Sequence, residues 1–362
     1  KHSTGGIGDK ASFILAPIAA ACGVKVPMIA GRGLGFTGGT VDKIESVKGF
    51  KTNLSLEEFQ KRLNKKGIVL IGQTKEIAPA DGLIYALRDV TATIDSIPLI
   101  TASIMSKKLA EGANGIVMDI KSGSGAFMGS ISDARKLAKS IIGTAKRFDK
   151  KSVALITNMD QPLGNAVGNS LEMIESVEVL KGNGPKDITE ISLALAARMI
   201  HIGGVEKTYS AALKKAKESV ANGSALKKFK EMIKDQGGDT SFITNYDKLP
   251  IAKERTEVLA PKAGWIKSFK NDQIGLLCTE IGGGRKVKTD KIDFGVGFYF
   301  NKKLGDKVSK GDSIFTIYHN KNQKKEVEYI QQRFLKEVVK ISAQKVQKPK
   351  TIHEVIQAKD VK

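Results

Sequence analysis

Three glycine-rich stretches, TGGIGD, GRGLGFTGGT and KSGSGAF, stand at strand or helix junctions of the chain. Glycine lets the backbone approach a ligand closely, and a following helix offers free N–H groups and a positive dipole end to an anion. The chemistry they suggest is phosphate binding. Gly33 to Gly38 has the form G-x-G-x-x-G, but VDKIESVKGF follows it instead of an apolar crossover helix, and no Walker motif is present. The opening KHSTGGIGDK supplies Lys1 as a point charge, Ser3, Thr4 and Ser12 as hydroxyls, and His2 as a proton donor beside the anion. A solvated end of chain with an incidental histidine fits the composition equally well.

A second constellation lies on SIPLITASIMSKK. Ser103 and Lys107 are four residues apart and share one helix face, which Ile100 and Ile104 flank with apolar surface. Arg88, on the preceding segment, can point the same way. A guanidinium fork, a hydroxyl and an ammonium beside apolar side chains suit a flat polar ring with carbonyl oxygens. Taken alone, the pattern is better matched by an ordinary amphipathic helix whose lysine faces water.

The elements that must position these groups alternate. KASFILAPIAAACG reads as a buried helix, VKVPMIA as a strand, LSLEEFQKRLNKKG as a helix capped by Ser55, and IVLIGQ as a buried strand. PADGLIYALRDVTATI and SIPLITASIMSKKLAEG read as helices, the second started by Ser96 and Pro98 and stopped by Gly112. GIVMDIK is a strand, SDARKLAKSIIGTAKRF a helix, SVALITNM a strand, and residues 170–235 are mostly helical. Strands alternating with helices argue an α/β fold with a largely parallel sheet. Near residue 256 the texture changes to short β-rich runs punctuated by Gly and Asp.

The formal charge of +21 raises a nucleic-acid reading, but only nine residues are arginine and aromatic residues make up 6% without interleaving the basic ones. Lysines on solvated helix faces account for the excess. Two cysteines, Cys22 and Cys278, provide no disulfide framework and suggest a reducing cytoplasm. No apolar run approaches the roughly 18 residues of a membrane span.

Together KHSTGGIGD, GRGLGFTGGTVDKIES, APAD…YALRDVTATIDSIPLITASIMSKKLAEG, MDIKSGSGAF, QPLGNAVGNSLE and GGGR…D…GVGF closely resemble the thymidine and pyrimidine-nucleoside phosphorylases, over essentially the whole chain. The resemblance implies that KHSTGG is internal to a longer protein whose family members carry a helical segment before it. It implies an α/β fold, its mainly parallel or mixed sheet flanked by helices, with a small all-α lobe and a C-terminal α+β domain. Residues 1–78 and 113–255 then form the phosphate-binding part, 79–112 part of the all-α lobe, and 256–362 the C-terminal domain. The implied reaction is reversible phosphorolysis of a pyrimidine (deoxy)nucleoside, most of all thymidine, to free base and (deoxy)ribose 1-phosphate. Phosphate, the co-substrate, would sit on Lys1, Ser3, Ser12 and Thr40. His2, Arg88, Ser103 and Lys107 match base-binding positions, with His2, Arg88 and Lys107 stabilising the departing base. Leu34, Tyr85, Ile94 and Phe127 match its apolar walls, beside Ile100. A cytoplasmic homodimer needing no further cofactor, and binding neither nucleic acid nor membrane, is the expected setting.

This chain departs from the family pattern at three positions. Phe36 stands where histidine is common, Ala30 where a serine often contacts phosphate, and Lys10 where threonine is usual. Some members bind a potassium ion in that last place, at positions matching Gly8, Leu163, Ala166 and Glu175. Either an ion binds here too, or the Lys10 ammonium takes its place and pairs with Glu175; a lysine pointing to solvent is the plain alternative. Two other functions also fit part of the pattern: a phosphoribosyltransferase of the anthranilate type, which shares the glycine loops, and a basic nucleic-acid binder.

Overall fold

The computed structural model describes residues 1–33, 35–74, 77–81, 84, 93, 96–287 and 289–361. The runs GIVMDIKS and KSVALITN become β4 (Gly115–Ser122) and β5 (Lys151–Asn158), paired in parallel in the middle of a four-stranded sheet. Both are buried along nearly their whole length, as strands covered on both faces must be. Alternation still sorts their side chains. Met118, Ile120, Ala154 and Ile156 join an apolar cluster with the inner face of helix Ile131–Arg147. Val117, Val153 and Leu155 face the larger cluster around helix Ala11–Ala21. Asp119 and Lys121 follow Val117 at two-residue steps, so their side chains leave the strand on that second face.

Strand β1 (His2–Ser3) runs parallel to β4, with His2 level with Met118 and Ser3 level with Asp119. Two neighbouring residues therefore look to opposite sides of the sheet. The fourth strand is β13 (Ile352–Gln357), antiparallel on β5. The sequence places these residues with the C-terminal domain, yet their hydrogen bonds cross back over the boundary at 256. A six-residue run carries no local sign of which sheet it will join.

A separate parallel pair, β2 (Val26–Ala30) and β3 (Ile68–Gly72), is bracketed by helix Leu56–Lys66. That helix starts on the expected Ser55, in a capping box with Glu58, and ends at Gly67. Helix Ile97–Ala110 begins with Pro98 in its first turn and leans on helix Ile131–Arg147, where Thr101 donates to Ser140 Oγ at 2.9 Å. Most of the segment 79–94, which the sequence reads as a helix, lies outside the described residues.

The C-terminal part builds two antiparallel sheets, one of which takes in a short strand of the preceding part. One joins β6 (Ala166–Val167), β9 (Gly297–Phe300), β11 (Ser313–His319) and β7 (Glu254–Leu259); the other joins β10 (Lys307–Val308), β8 (Gly264–Phe269) and β12 (Val339–Ser342). Helices Asn271–Glu280 and Lys324–Arg333 complete its α+β character. Among the described residues, no helix is long and apolar enough to cross a membrane.

Candidate active site

The sheet sets two groups of residues on opposite sides of β1. On the Ser3 side, Lys1 Nζ donates to Ser12 Oγ at 3.3 Å, Ser12 being in the first turn of helix Ala11–Ala21. The Ser3 hydroxyl donates to Asp9 Oδ2 at 2.5 Å and accepts from the Gly5 N–H at 3.2 Å. Thr40 opens the short helix Thr40–Ile44, directly after the glycine loop. Lys1 thus meets Ser12, while Ser3 meets Asp9, a carboxylate that the motif reading passed over.

Asp9 is central there. It also accepts from the Ala11 N–H, while Lys43 Nζ donates to its carbonyl oxygen at 2.8 Å. Burial alone would raise its pKa; Lys121, Lys1, the Ser3 hydroxyl and Lys43 outweigh it and hold the carboxyl well below the usual range. Behind it, fully buried Lys121 and Asp119 pair at 2.7 Å, and Thr157 donates to Asp119 at 2.6 Å. Burial works against the Lys121 ammonium, but Asp119 and Asp9 more than compensate and raise its pKa. For Lys1 the balance goes the other way, and burial lowers its pKa despite Asp9 and Asp119. Lys43 pairs in turn with Glu172 at 2.7 Å. The Lys121 and Lys43 ammonium groups each lie beside a carboxylate, as buried charges require, whereas Lys1 is held by the Ser12 hydroxyl.

On the His2 side stands helix Ile97–Ala110. Lys107 Nζ donates to Ser103 Oγ at 2.9 Å, so the four-residue spacing does bring the two together, and to Asp81 Oδ2 at 2.5 Å. The lysine does not simply face water. Burial, followed by the charges of Lys108, Lys107 and Lys1, puts the His2 pKa well below the ordinary histidine value. The unliganded site therefore disfavours the charged imidazole, while a neutral ring can still donate one N–H. Ile100 and Phe127 pack against the same apolar cluster. Leu34, Tyr85, Arg88 and Ile94 lie outside the described residues.

Lys10 is fully buried. Its Nζ donates to Leu163 O at 2.8 Å, Ala166 O at 2.9 Å and Glu175 Oε2 at 2.5 Å. The solvated alternative is thereby excluded. Gly8 belongs to the same cradle: at φ +73°, a Cβ there would meet Leu163 O at 2.6 Å. Sequence reasoning missed Asp9, Asp81, Asp119, Lys121 and the Lys43–Glu172 pair. For two of them a signal existed, since an aspartate and a lysine at alternate positions of the apolar run IVMDIKS mark a face turned towards a polar site.

Comparison with known proteins places the chain. Residues 1–226 match the glycosyl transferase family, a/b domain, and residues 265–339 match the pyrimidine nucleoside phosphorylase C-terminal domain. The chain is thus a pentosyltransferase, an enzyme that moves a sugar between partners. The pyrimidine-nucleoside phosphorylase of Staphylococcus epidermidis (strain ATCC 12228 / FDA PCI 1200) is 46% identical over 329 residues, covering 91% of this chain and 76% of its own. That of Geobacillus stearothermophilus is 44% identical over 356 residues, covering 98% of this chain and 81% of its own. The chain belongs to the pyrimidine-nucleoside phosphorylase family. A solved structure, the anthranilate phosphoribosyltransferase of Thermus thermophilus, has a related fold: TM-score 0.51 and 16% identity, over 65% of this chain and 76% of that one.

Proposed function

We propose that the protein catalyses the reversible phosphorolysis of pyrimidine (deoxy)nucleosides, thymidine foremost, to the free base and (2-deoxy)-α-D-ribose 1-phosphate. The observation that carries this reading is the register of β1 on β4, which turns Ser3 to one side of the sheet and His2 to the other. Phosphate binds on the Lys1, Ser3, Ser12 and Thr40 side, and the base on the side of His2, Ser103 and Lys107, with Arg88 added as the further base-binding residue that the family resemblance implies. A phosphate oxygen forms a bond to C1′ as the C1′–N1 bond breaks, its electron pair leaving with the base. The two partners lie on opposite faces of the sugar, so C1′ inverts. Lys107, Arg88 and the N–H of neutral His2 stabilise the negative charge that develops on the base. Bound phosphate must draw the Ser3 hydroxyl away from Asp9, so the anion competes with a carboxylate already in place.

No cofactor besides phosphate enters this reading. Lys10, with two carbonyls and a carboxylate around its ammonium, serves as a built-in monovalent cation in the place the family resemblance gives to potassium. A cytoplasmic homodimer is the proposed setting. The test is ultraviolet-monitored conversion of thymidine and uridine by the full-length protein, with and without phosphate. Phosphate-dependent release of base supports the reading and ranks the two sugars. Release without phosphate makes the protein a hydrolase, and no release from folded protein turns attention to phosphoribosyl donors.

A further inference from the structure

Phe36 sits in the glycine-rich segment between Gly33 and Gly39 and has no role in the site as drawn above. Its ring lies against that of Phe127, with centroids 5.6 Å apart and planes at 38°. Both residues are half-buried. Phe127 packs, with Ile97, Ile100 and Leu109, on the apolar cluster beside Ser103 and Lys107. Apolar surface is therefore continuous from that helix to the glycine segment. The segment is also seated from its other side. A Cβ at Gly275 would lie 2.0 Å from the Phe36 carbonyl oxygen, so helix Asn271–Glu280 reaches this backbone only because residue 275 has no side chain.

The chemistry of a pyrimidine supplies the other half of the argument. N3 and the two carbonyl oxygens make a polar rim, and the C5–C6 edge is the apolar one. With the rim held by the Ser103–Lys107 face, the C5–C6 edge turns to the apolar surface that Phe127 and Phe36 continue. Resting on the proposed pyrimidine-nucleoside reading, we infer that Phe36 is a specificity-determining residue. With Phe127 it forms the wall against C5, favouring bases that carry a methyl group there over bases that carry hydrogen.

Thymidine and 2′-deoxyuridine differ only in that methyl group, so their ratio of kcat/KM with the full-length enzyme isolates the contact. In Phe36→Ala the ratio of thymidine to deoxyuridine falls about four-fold, the worth of one buried methyl group. Phe36→Leu, which keeps an apolar side chain and guards against a folding failure of the alanine variant, falls less. Gly275→Ala, which leaves Phe36 intact but displaces its backbone, lowers the ratio in the same direction. An unchanged ratio, or an equal loss on both substrates, overturns the inference and leaves Phe36 a packing residue. A folded wild-type enzyme that releases no base with phosphate overturns the functional reading and this inference with it. An active wild type whose variants keep the ratio overturns the inference alone.

Discussion

Lys10 and Lys107 hold their charges in similar company and to different ends. Each donates to a carboxylate at 2.5 Å, Glu175 in one case and Asp81 in the other. Lys10 adds two backbone carbonyls, which match its remaining N–H groups, and its side chain is 0% exposed. Lys107 adds the Ser103 hydroxyl and remains 16% exposed. Backbone carbonyls in a packed loop cannot turn away, whereas aspartate and serine side chains can rotate. The first ammonium is locked into architecture, and the second, on the proposed reading, exchanges a partner for the base. Partner type and exposure decide the role, not the lysine.

The comparison breaks if the two lysines respond alike. Lys10→Met leaves Glu175 buried without its cation and is expected to lose about 3–5 kcal/mol of stability in urea unfolding. A loss below about 1 kcal/mol would mean that the cage opens to water. Lys107→Met should lower kcat/KM on the order of 100-fold, as removal of a charge-stabilising donor does, with a melting temperature close to wild type. An equally destabilised Lys107 variant would place it with Lys10.

Smaller effects sharpen the contrast. His2 has a lowered pKa, so between that value and about 6.5 the unfolded chain binds a proton that the folded chain does not. Stability contributed by neutral His2 is present above pH 6.5 and declines as the pH falls below it. His2→Gln removes that part of the slope in melts between pH 7.5 and 5, and an unaltered slope would assign it elsewhere. Ala30→Ser restores a hydroxyl at the end of β2 and should lower the phosphate KM about five-fold, one hydrogen bond being worth about 1 kcal/mol; an unchanged KM would remove Ala30 from the phosphate site. Last, added potassium should change wild-type activity less than two-fold, because the cage is already filled, while Lys10→Thr should become responsive to the ion. Strong activation of the wild type would overturn the built-in cation.

Much of the local structure was legible. Ser55 with Glu58 starts a helix and Gly67 ends it, because a side-chain oxygen and a left-handed glycine satisfy the free backbone groups at the two ends. Ser103 and Lys107 meet because four residues make about one helical turn. The glycine motifs pointed to Lys1, Ser3 and Ser12 as one group. The alternation of IVMDIKS marked Asp119 as facing a polar site, but which groups the carboxylates would meet was illegible. Asp81 lies 26 residues from Lys107, and Asp119 is distant in sequence from the Ser3 strand it stands beside.

The sequence by itself determined the caps, the strand alternation, the shared helix face and the glycine loops, since each follows from backbone geometry within a turn or two of chain. Only the tertiary structure decided that Lys10 would lie among Leu163, Ala166 and Glu175, more than 150 residues away, that β13 would return to β5, and that burial and nearby ammonium groups would lower the His2 pKa. A lysine or histidine has the same intrinsic pKa wherever it stands in a sequence. Its charge and its task in the folded protein come from the water it loses and the partners it gains, and both depend on packing between distant segments.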